Sequence, residues 1–537
     1  MTNLFVRKAT GLVRSWSVFD AFIYAFFSIN LITLGLYIFS FGYFVPDGNL
    51  VPAILISTPF LIFEVIVYAS LIAIMPRAGG DYVWQSRILG GPIGFVLAVT
   101  GWWFILWHWV PLYGTMLSYM VFTPLFAIAG APGIATWFSS SVGLFWSSII
   151  TIVIVSGFIT LGMRTYARIQ RWCFYGGALG LAIVFVLLLV NSQANFQTAF
   201  DQQSTALFGA PAGAYAGTLK AATDYGYTPP PFSSMPLASS LLLIPFILFF
   251  NLWSNWGATL YGEVRGATDF KRNIYGMGGA LLVTTVVVIA LLALIAKTMG
   301  WEFYNAANAG FWNPVYDANA PAGPLGVFPY PGLLAAMLVN NRLVQFVIVF
   351  LLSLWWIGWA GTVFLSSTRV VFAAAFDRLL PEKVAEVSPV LNTPIYALLL
   401  MAVPSAIVSY LYAFYPGFAT LTLDTTLVIA VTYLGTTIAA IILPYVKPDL
   451  YNASPVAKYK VAGLPLITVA GVIFGIFLVY NLYLWFTNSL YGVNNPLSLI
   501  YMGVMYLLAI VIYVIAYFYR KSKGIDLEKV HAEIPVE

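Results

Sequence analysis

The sequence predicts an all-α membrane protein with twelve transmembrane helices, and three observations carry that prediction. Apolar runs of roughly 20 residues, each about long enough to cross a ~30 Å hydrocarbon core, recur near residues 18–40, 53–74, 93–124, 140–162, 172–190, 238–260, 274–296, 343–368, 394–413, 425–445, 464–487 and 498–519. The composition is 61% hydrophobic, 17% aromatic and 8% charged, which no water-soluble domain needs. Lysine and arginine are split unevenly between alternate connections: 21 of the 24 fall on one side, and Lys220, Lys297 and Arg342 fall on the other. Cytoplasmic loops carry the basic excess, so the expectation is a multi-pass cell-membrane protein with both termini cytoplasmic. The formal net charge of +5 then reflects topology and does not call for a nucleic-acid partner.

The first span begins at Ser15-Trp16-Ser17 and Asp20 and carries Ser28, Asn30, Thr33 and Gly35 near its middle. Such residues either bond back to their own helix and allow close packing, or they mark a break. The sixth span favours the break. SLLLIPFILFFNLWSNWGATLYGEVRGATDFKR, residues 240–272, starts as an apolar helix, then changes character at Asn251, Ser254, Asn255 and Gly257. Loosened backbone at mid-membrane is tolerated only where protein or a water-filled cavity satisfies its amides. Corresponding breaks in two halves of a chain are the pattern of inverted-repeat transporters.

Between the second and third spans, Pro76-Arg77-Ala78-Gly79-Gly80-Asp81-Tyr82 leads to Arg87 and Gly90-Gly91-Pro92. This reads as a turn and an amphipathic helix lying in the interface, with Arg77 and Arg87 at the headgroups. The third span holds Trp102, Trp103, Trp107, His108 and Trp109, a density that sequence alone assigns to packing ahead of a cavity wall. The external connections 191–237 and 297–341 exceed ordinary loop lengths and are expected to be ordered caps. The tail RKSKGIDLEKVHAEIPVE reads as polar and cytoplasmic, with His531 in solvent.

Several chemistries have little support. The single cysteine, Cys173, excludes an internal disulfide and a cysteine-rich metal site. The chain has no phosphate loop, nucleotide fingerprint or metal-ligand cluster, and two histidines, His108 and His531, give a hydrolytic site little to work with. No cofactor, metal or enzymatic role is expected. Arg7, Lys8 and Arg14 precede the first span without a small-residue cleavage site, so no removable signal peptide is expected.

Three motifs resemble those of the amino acid–polyamine–organocation transporters. Pro76-Arg77-Ala78-Gly79-Gly80-Asp81-Tyr82, with Arg87, Gly90 and Gly94-Phe95, is similar to the family's P-x-A-G-G-x-Y…R…G…G-F pattern. Gly262-Glu263-Val264-Arg265, followed by Lys271-Arg272-Asn273, resembles the segment after span six, with Gly266-Ala267 in place of the usual Asn-Pro. Residues 369–381, RVVFAAAFDRLLP, with Thr393-Pro394, resemble the block after span eight. The resemblance implies a leucine-transporter-type fold. Spans 1–5 (residues 1–190) and 6–10 (238–446) would be inverted repeats with spans 1 and 6 unwound, 191–237 an external loop, 447–519 two added spans and 520–537 a tail. It implies a permease for an amino acid, amine or related small solute, proton-coupled or exchanging, or else a solute sensor of the same fold.

The departures bear on the site. An ungapped reading places Thr33-Leu34-Gly35 where members carry a two-glycine motif, puts Trp253-Ser254-Asn255 at the usual Gly-x-Glu of span 6, and finds no lysine in span 5. Substrate is therefore expected between Ser28, Asn30, Thr33, Leu34 and Gly35 on one side and Phe249, Phe250, Trp253 and Asn255 on the other, where half-helix ends offer free amides and dipoles. Ser366, Ser367 and Thr368 are the hydroxyls that a sodium ion would use. Glu64, read as the only carboxylate well inside a span, costs about +2.5 to +3.5 kcal/mol if charged at the bilayer centre, so it should face the interior or be neutral and is a candidate proton carrier. His108, the intramembrane histidine, is a coupling candidate beside Glu64, with a ring satisfied among the tryptophans as the alternative. Composition leaves substrate, coupling ion and any homo-oligomer open.

Overall fold

The computed structural model describes residues 16–229, 234–388 and 393–534. Arg7, Lys8, Arg14 and Ser15, used above for orientation and for the start of the first span, lie outside the described residues. Among the described residues, eleven helices are long and apolar enough to cross a membrane: Val18–Phe39, Leu50–Ile74, Gly91–Ile128, Ser141–Thr160, Met163–Val190, Phe270–Tyr316, Arg342–Phe376, Ile395–Phe414, Gly417–Val446, Leu466–Thr487 and Pro496–Ser522. We number them spans 1–5 and 7–12. The place of span 6 is taken by a segment in two short pieces, the α-helix Ile244–Asn251 and the 3-10 turn Trp256–Glu263. Its interruption falls at the polar residues that the sequence singles out.

Span 1 starts at a capping box. The Ser17 hydroxyl accepts from the Asp20 amide, and Asp20 accepts from the Ser17 amide. The second Asp20 oxygen takes Arg171 at the start of span 5, at 2.7 Å. The helix stops at Ile29 because Asn30 turns left-handed (φ 30°), a conformation asparagine tolerates better than most residues. A widened π-turn, Leu31–Gly35, follows before the helix resumes.

The described residues of the connections 191–237 and 297–341 are largely helical. Helices Gln193–Phe208, Ala214–Asp224 and Pro331–Ala336 join the outer half of span 7, which bends at Gly300 (φ 89°). Tyr215 and Phe303 stack at 4.3 Å between two of them. The three basic residues on this face each have a local role. Lys297 donates to the carbonyls of Leu188, Leu189 and Asn191, capping the end of span 5. Arg342 donates to the Ala206 carbonyl and Lys220 pairs with Asp224.

At the opposite face the three motifs bind one another. Gly79 (φ 94°) and Gly80 (φ 39°) lie against span 8 and span 6, where a Cβ on Gly79 would meet Ala373 and one on Gly80 the backbone at Ala258. The Gly79 amide donates to the Thr259 carbonyl. Glu263 receives Arg369 at 2.7 Å, both fully buried. Arg87 forks onto Asp377, which also accepts the Tyr82 hydroxyl.

Several expectations are corrected here. Asp81–Ile88 is not an interface-lying helix: almost all its residues are buried, and Arg87 is 7% exposed rather than at the headgroups because the Asp377 carboxylate lies within its reach. Arg77 is half-buried and folds back on the Pro76 carbonyl. His531 is not in solvent. The short helix Leu527–Ala532 docks so that the imidazole is 6% exposed, packed over Gly91, with Nε2 3.4 Å from the Tyr82 hydroxyl and 3.9 Å from Asp377. Glu533 closes the contact through its carbonyl, which accepts from Arg87 Nε. Glu64 is not the only interior carboxylate, because span 10 begins before the apolar run does and buries Asp424 in its first turn.

Candidate functional site

The two breaks meet face to face. The Phe250 ring lies so close to Gly35 that a Cβ there would be 2.9 Å from it, and Phe39 packs edge-on against the same ring at 5.1 Å. In span 1 the Asn30 side chain holds the break open, its oxygen accepting from the Thr33 amide and its nitrogen donating to the Trp355 carbonyl. Thr33 and Leu34 are buried in the π-turn, while Ser28 bonds back to the Tyr24 carbonyl. The structure therefore brings the expected span 1 residues together, with Gly35 at the contact.

Aromatic rings fill the other side. Trp109 stacks on Phe249 (5.4 Å) and Trp256 (5.5 Å) and meets Trp253 edge-on at 5.1 Å. The tryptophans of span 3 divide by face. Trp102 and Trp109 turn toward the span 6 break, with no hydrogen bond on either indole N–H, while Trp103 and Trp107 donate to the Leu400 carbonyl. Trp253 satisfies its N–H locally on Phe249.

On one side of the span 6 break every hydroxyl is engaged. Ser366 donates to the Trp256 carbonyl at 3.0 Å and shares a 2.8 Å hydrogen bond with Tyr24, whose oxygen also lies 3.1 Å from the Thr362 carbonyl. Ser367 donates to the Met401 sulfur and Thr368 to the Leu365 carbonyl. A sodium ion would have to displace these partners.

The other side is a buried polar cluster with most of its capacity unused. Asp81 Oδ1 accepts from Tyr68 and Thr436, each at 2.6 Å, while Oδ2 has no hydrogen bond of ordinary geometry. Both oxygens of Glu64 and both amide atoms of Asn255 are buried without a hydrogen bond of ordinary geometry, and so are Ser254 and the Tyr433 hydroxyl. The groups are neighbours: Asp81 acts on Glu64, Asn255 lies beside the Tyr433 hydroxyl, and the Trp102 indole lies beside Asp81. Burial pushes the Asp81 carboxyl up to about 6, against the opposing hydrogen bonds from Thr436 and Tyr68. A buried polar atom left unpaired costs about 1–3 kcal/mol. Such a concentration therefore needs a proton, a bound solute or a change of conformation to relieve it.

His108 stands apart. It lies among Phe418, Tyr412 and Tyr501 at 5.3–5.9 Å rather than among tryptophans, and neither ring nitrogen is hydrogen-bonded. The residues that sequence reasoning missed are Asp81, Tyr68, Tyr433 and Thr436. Thr432, Tyr433, Thr436 and Thr437 recur at helical spacing inside an apolar run, a polar stripe that could have drawn attention to span 10.

A family model described as amino acid permease matches residues 17–516. The chain belongs to the amino acid permease family. No curated protein matches it. This permease is thus a multi-pass membrane protein among transporters of amino acids and related solutes, embedded in lipid and handling a small molecule.

Proposed function

We propose that the permease is a secondary active transporter of the cell membrane, with both termini cytoplasmic. It moves an amino acid, amine or related small solute by alternating access between the breaks of spans 1 and 6. The observation that carries this reading is the facing pair of breaks, lined by Asn30, Thr33, Leu34 and Gly35 and closed by Phe249, Phe250, Trp253 and Asn255. With the Ser366 and Ser367 hydroxyls already engaged, coupling falls to protons, and Glu64 is the carrier. It has no cationic partner among the described residues, and its two oxygens are free to gain and lose a proton as Asn255 moves with span 6 against Tyr433 of span 10.

A thermal-shift screen against amino acids, polyamines and nucleobases identifies a ligand, and uptake of that labelled ligand into proteoliposomes tests transport. Accumulation driven by an inward proton gradient and indifferent to sodium is expected. Ligand binding without uptake would make the protein a sensor, and sodium-dependent uptake would return coupling to Ser366 and Ser367.

A further inference from the structure

On the face that carries the three motifs, a cleft of about 640 Å³ opens between the link that follows span 8 and the last turns of span 12. Its two walls differ in chemistry. One is aliphatic: Ile512 and Ile515 continue an outward row on span 12 in which Val511, Val514, Ile515 and Phe518 are 43–64% exposed, as a bilayer-facing surface is. The other is cationic, built from Arg378, Lys383 and Arg520. Tyr519 stands where the two walls join, 55% exposed, with Lys523 5.9 Å and Arg520 5.5 Å from its ring.

The cationic wall is a built one. Arg378 is left-handed (φ 67°), a conformation that a non-glycine residue holds only when its surroundings fix it. Arg520 supplies that constraint by donating to the carbonyls of Arg378 and Leu380 at 2.7 and 3.2 Å. The one acid among the described residues lining the cleft, Glu382, is 70% exposed and sits 3.8 Å from Arg520, at the limit of an ion pair. Lys383, Arg520 and Lys523 about one exposed carboxylate, directly above an aliphatic wall at the end of a membrane span, complement a molecule that is anionic at one end and hydrocarbon at the other.

We propose that this cleft binds one anionic phospholipid, with its phosphate among Lys383, Lys523 and the Tyr519 hydroxyl and an acyl chain along Ile512 and Ile515. A zwitterionic lipid would bring its own cation to a wall that is already cationic, so the site selects for net negative charge. The lipid would tie span 12 to the link that begins at Asp377. Its occupancy would therefore reach the Arg87–Asp377 pair without touching the breaks of spans 1 and 6.

The test uses the full chain, stripped of lipid in detergent and titrated with phosphatidylglycerol, phosphatidylcholine or inorganic phosphate. It is read by native mass spectrometry and by melting temperature. Phosphatidylglycerol should be retained at one molecule per chain and should raise the melting temperature, while phosphatidylcholine at the same concentration does neither. The double variant Lys383→Gln/Lys523→Gln should weaken retention roughly thirtyfold, from about fivefold per lysine. Ile515→Trp should abolish retention by filling the aliphatic wall while leaving every charge in place. Equal retention of the two lipids by the parent, or unchanged retention in both variants, overturns the proposal. So does a melting shift reproduced by inorganic phosphate, which would show that the wall reads phosphate alone.

Discussion

The two sides of the broken span 6 are built from similar residues and end in opposite states. Toward span 8, Tyr24, Ser366, Thr362 and Trp256 exchange hydrogen bonds until none of their hydroxyls is idle. Toward spans 2 and 10, Glu64, Asp81, Asn255 and Tyr433 bury a comparable number of polar atoms and leave most of them unpaired. A fully satisfied network rigidifies its surroundings, and a partly satisfied one favours another arrangement. The comparison suggests that the first side is the fixed wall and the second the side that changes during the cycle.

The largest effect should come from the fixed wall. Glu263→Gln leaves Arg369 buried and uncompensated, which costs about 3–5 kcal/mol. The measurement is the yield of monodisperse protein and its melting temperature, and a melting temperature equal to the parent's would break the comparison. Next comes Asp81→Asn on the other side, which can still accept from Tyr68 and Thr436. A carboxyl held near 6 in the fold binds its proton more tightly folded than unfolded. The stability it contributes is full at pH values below the ordinary carboxylate range and is lost as pH rises through about 6. The variant has no such loss. Its melting advantage over the parent should therefore grow between about pH 4 and 6 and level off above, at roughly 3 kcal/mol. A constant difference across that range would show that Asp81 is not under strain.

Tyr24→Phe removes one hydrogen bond from the satisfied side and should cost about 1 kcal/mol, with uptake per folded molecule unchanged. Asn255→Ala should do the reverse, weakening ligand binding about tenfold with little change in melting, since its amide makes no hydrogen bond of ordinary geometry. The smallest effect on stability belongs to Glu64→Gln, within about 0.5 kcal/mol of the parent. Its signature is functional: proton-driven accumulation is lost while exchange of internal for external solute persists. A variant that still accumulates solute as the parent does would make Glu64 a structural residue.

The spans were legible because length and apolarity are local properties. The break in span 6 was legible because Asn251, Ser254, Asn255 and Gly257 have no use in an uninterrupted helix. Arg87 was misread because a basic residue after a turn looks the same whether it reaches water or a carboxylate 290 positions away. His531 was misread for a similar reason, since nothing in a polar tail announces that Gly91 leaves room for an imidazole. Glu64 drew attention as a carboxylate in a hydrocarbon run, but its neighbour Asp81 sat in a glycine turn where an acid is unremarkable. The pairing of the three motifs through Glu263–Arg369 and Arg87–Asp377 is a tertiary fact that no one of the motifs contains.

The contacts of Arg87 also bear on how the molecule is made. Its guanidinium waits for Asp377 and then for the carbonyl of Glu533, 446 residues further along the chain. During synthesis the turn between spans 2 and 3 would thus carry an uncompensated cation until most of the bundle has been inserted, and its last hydrogen bond would form only when the tail helix arrives. Biogenesis of this face would then proceed from the outside inward, with residues 527–533 as its closing piece. A fusion or label attached just beyond them would act on assembly itself.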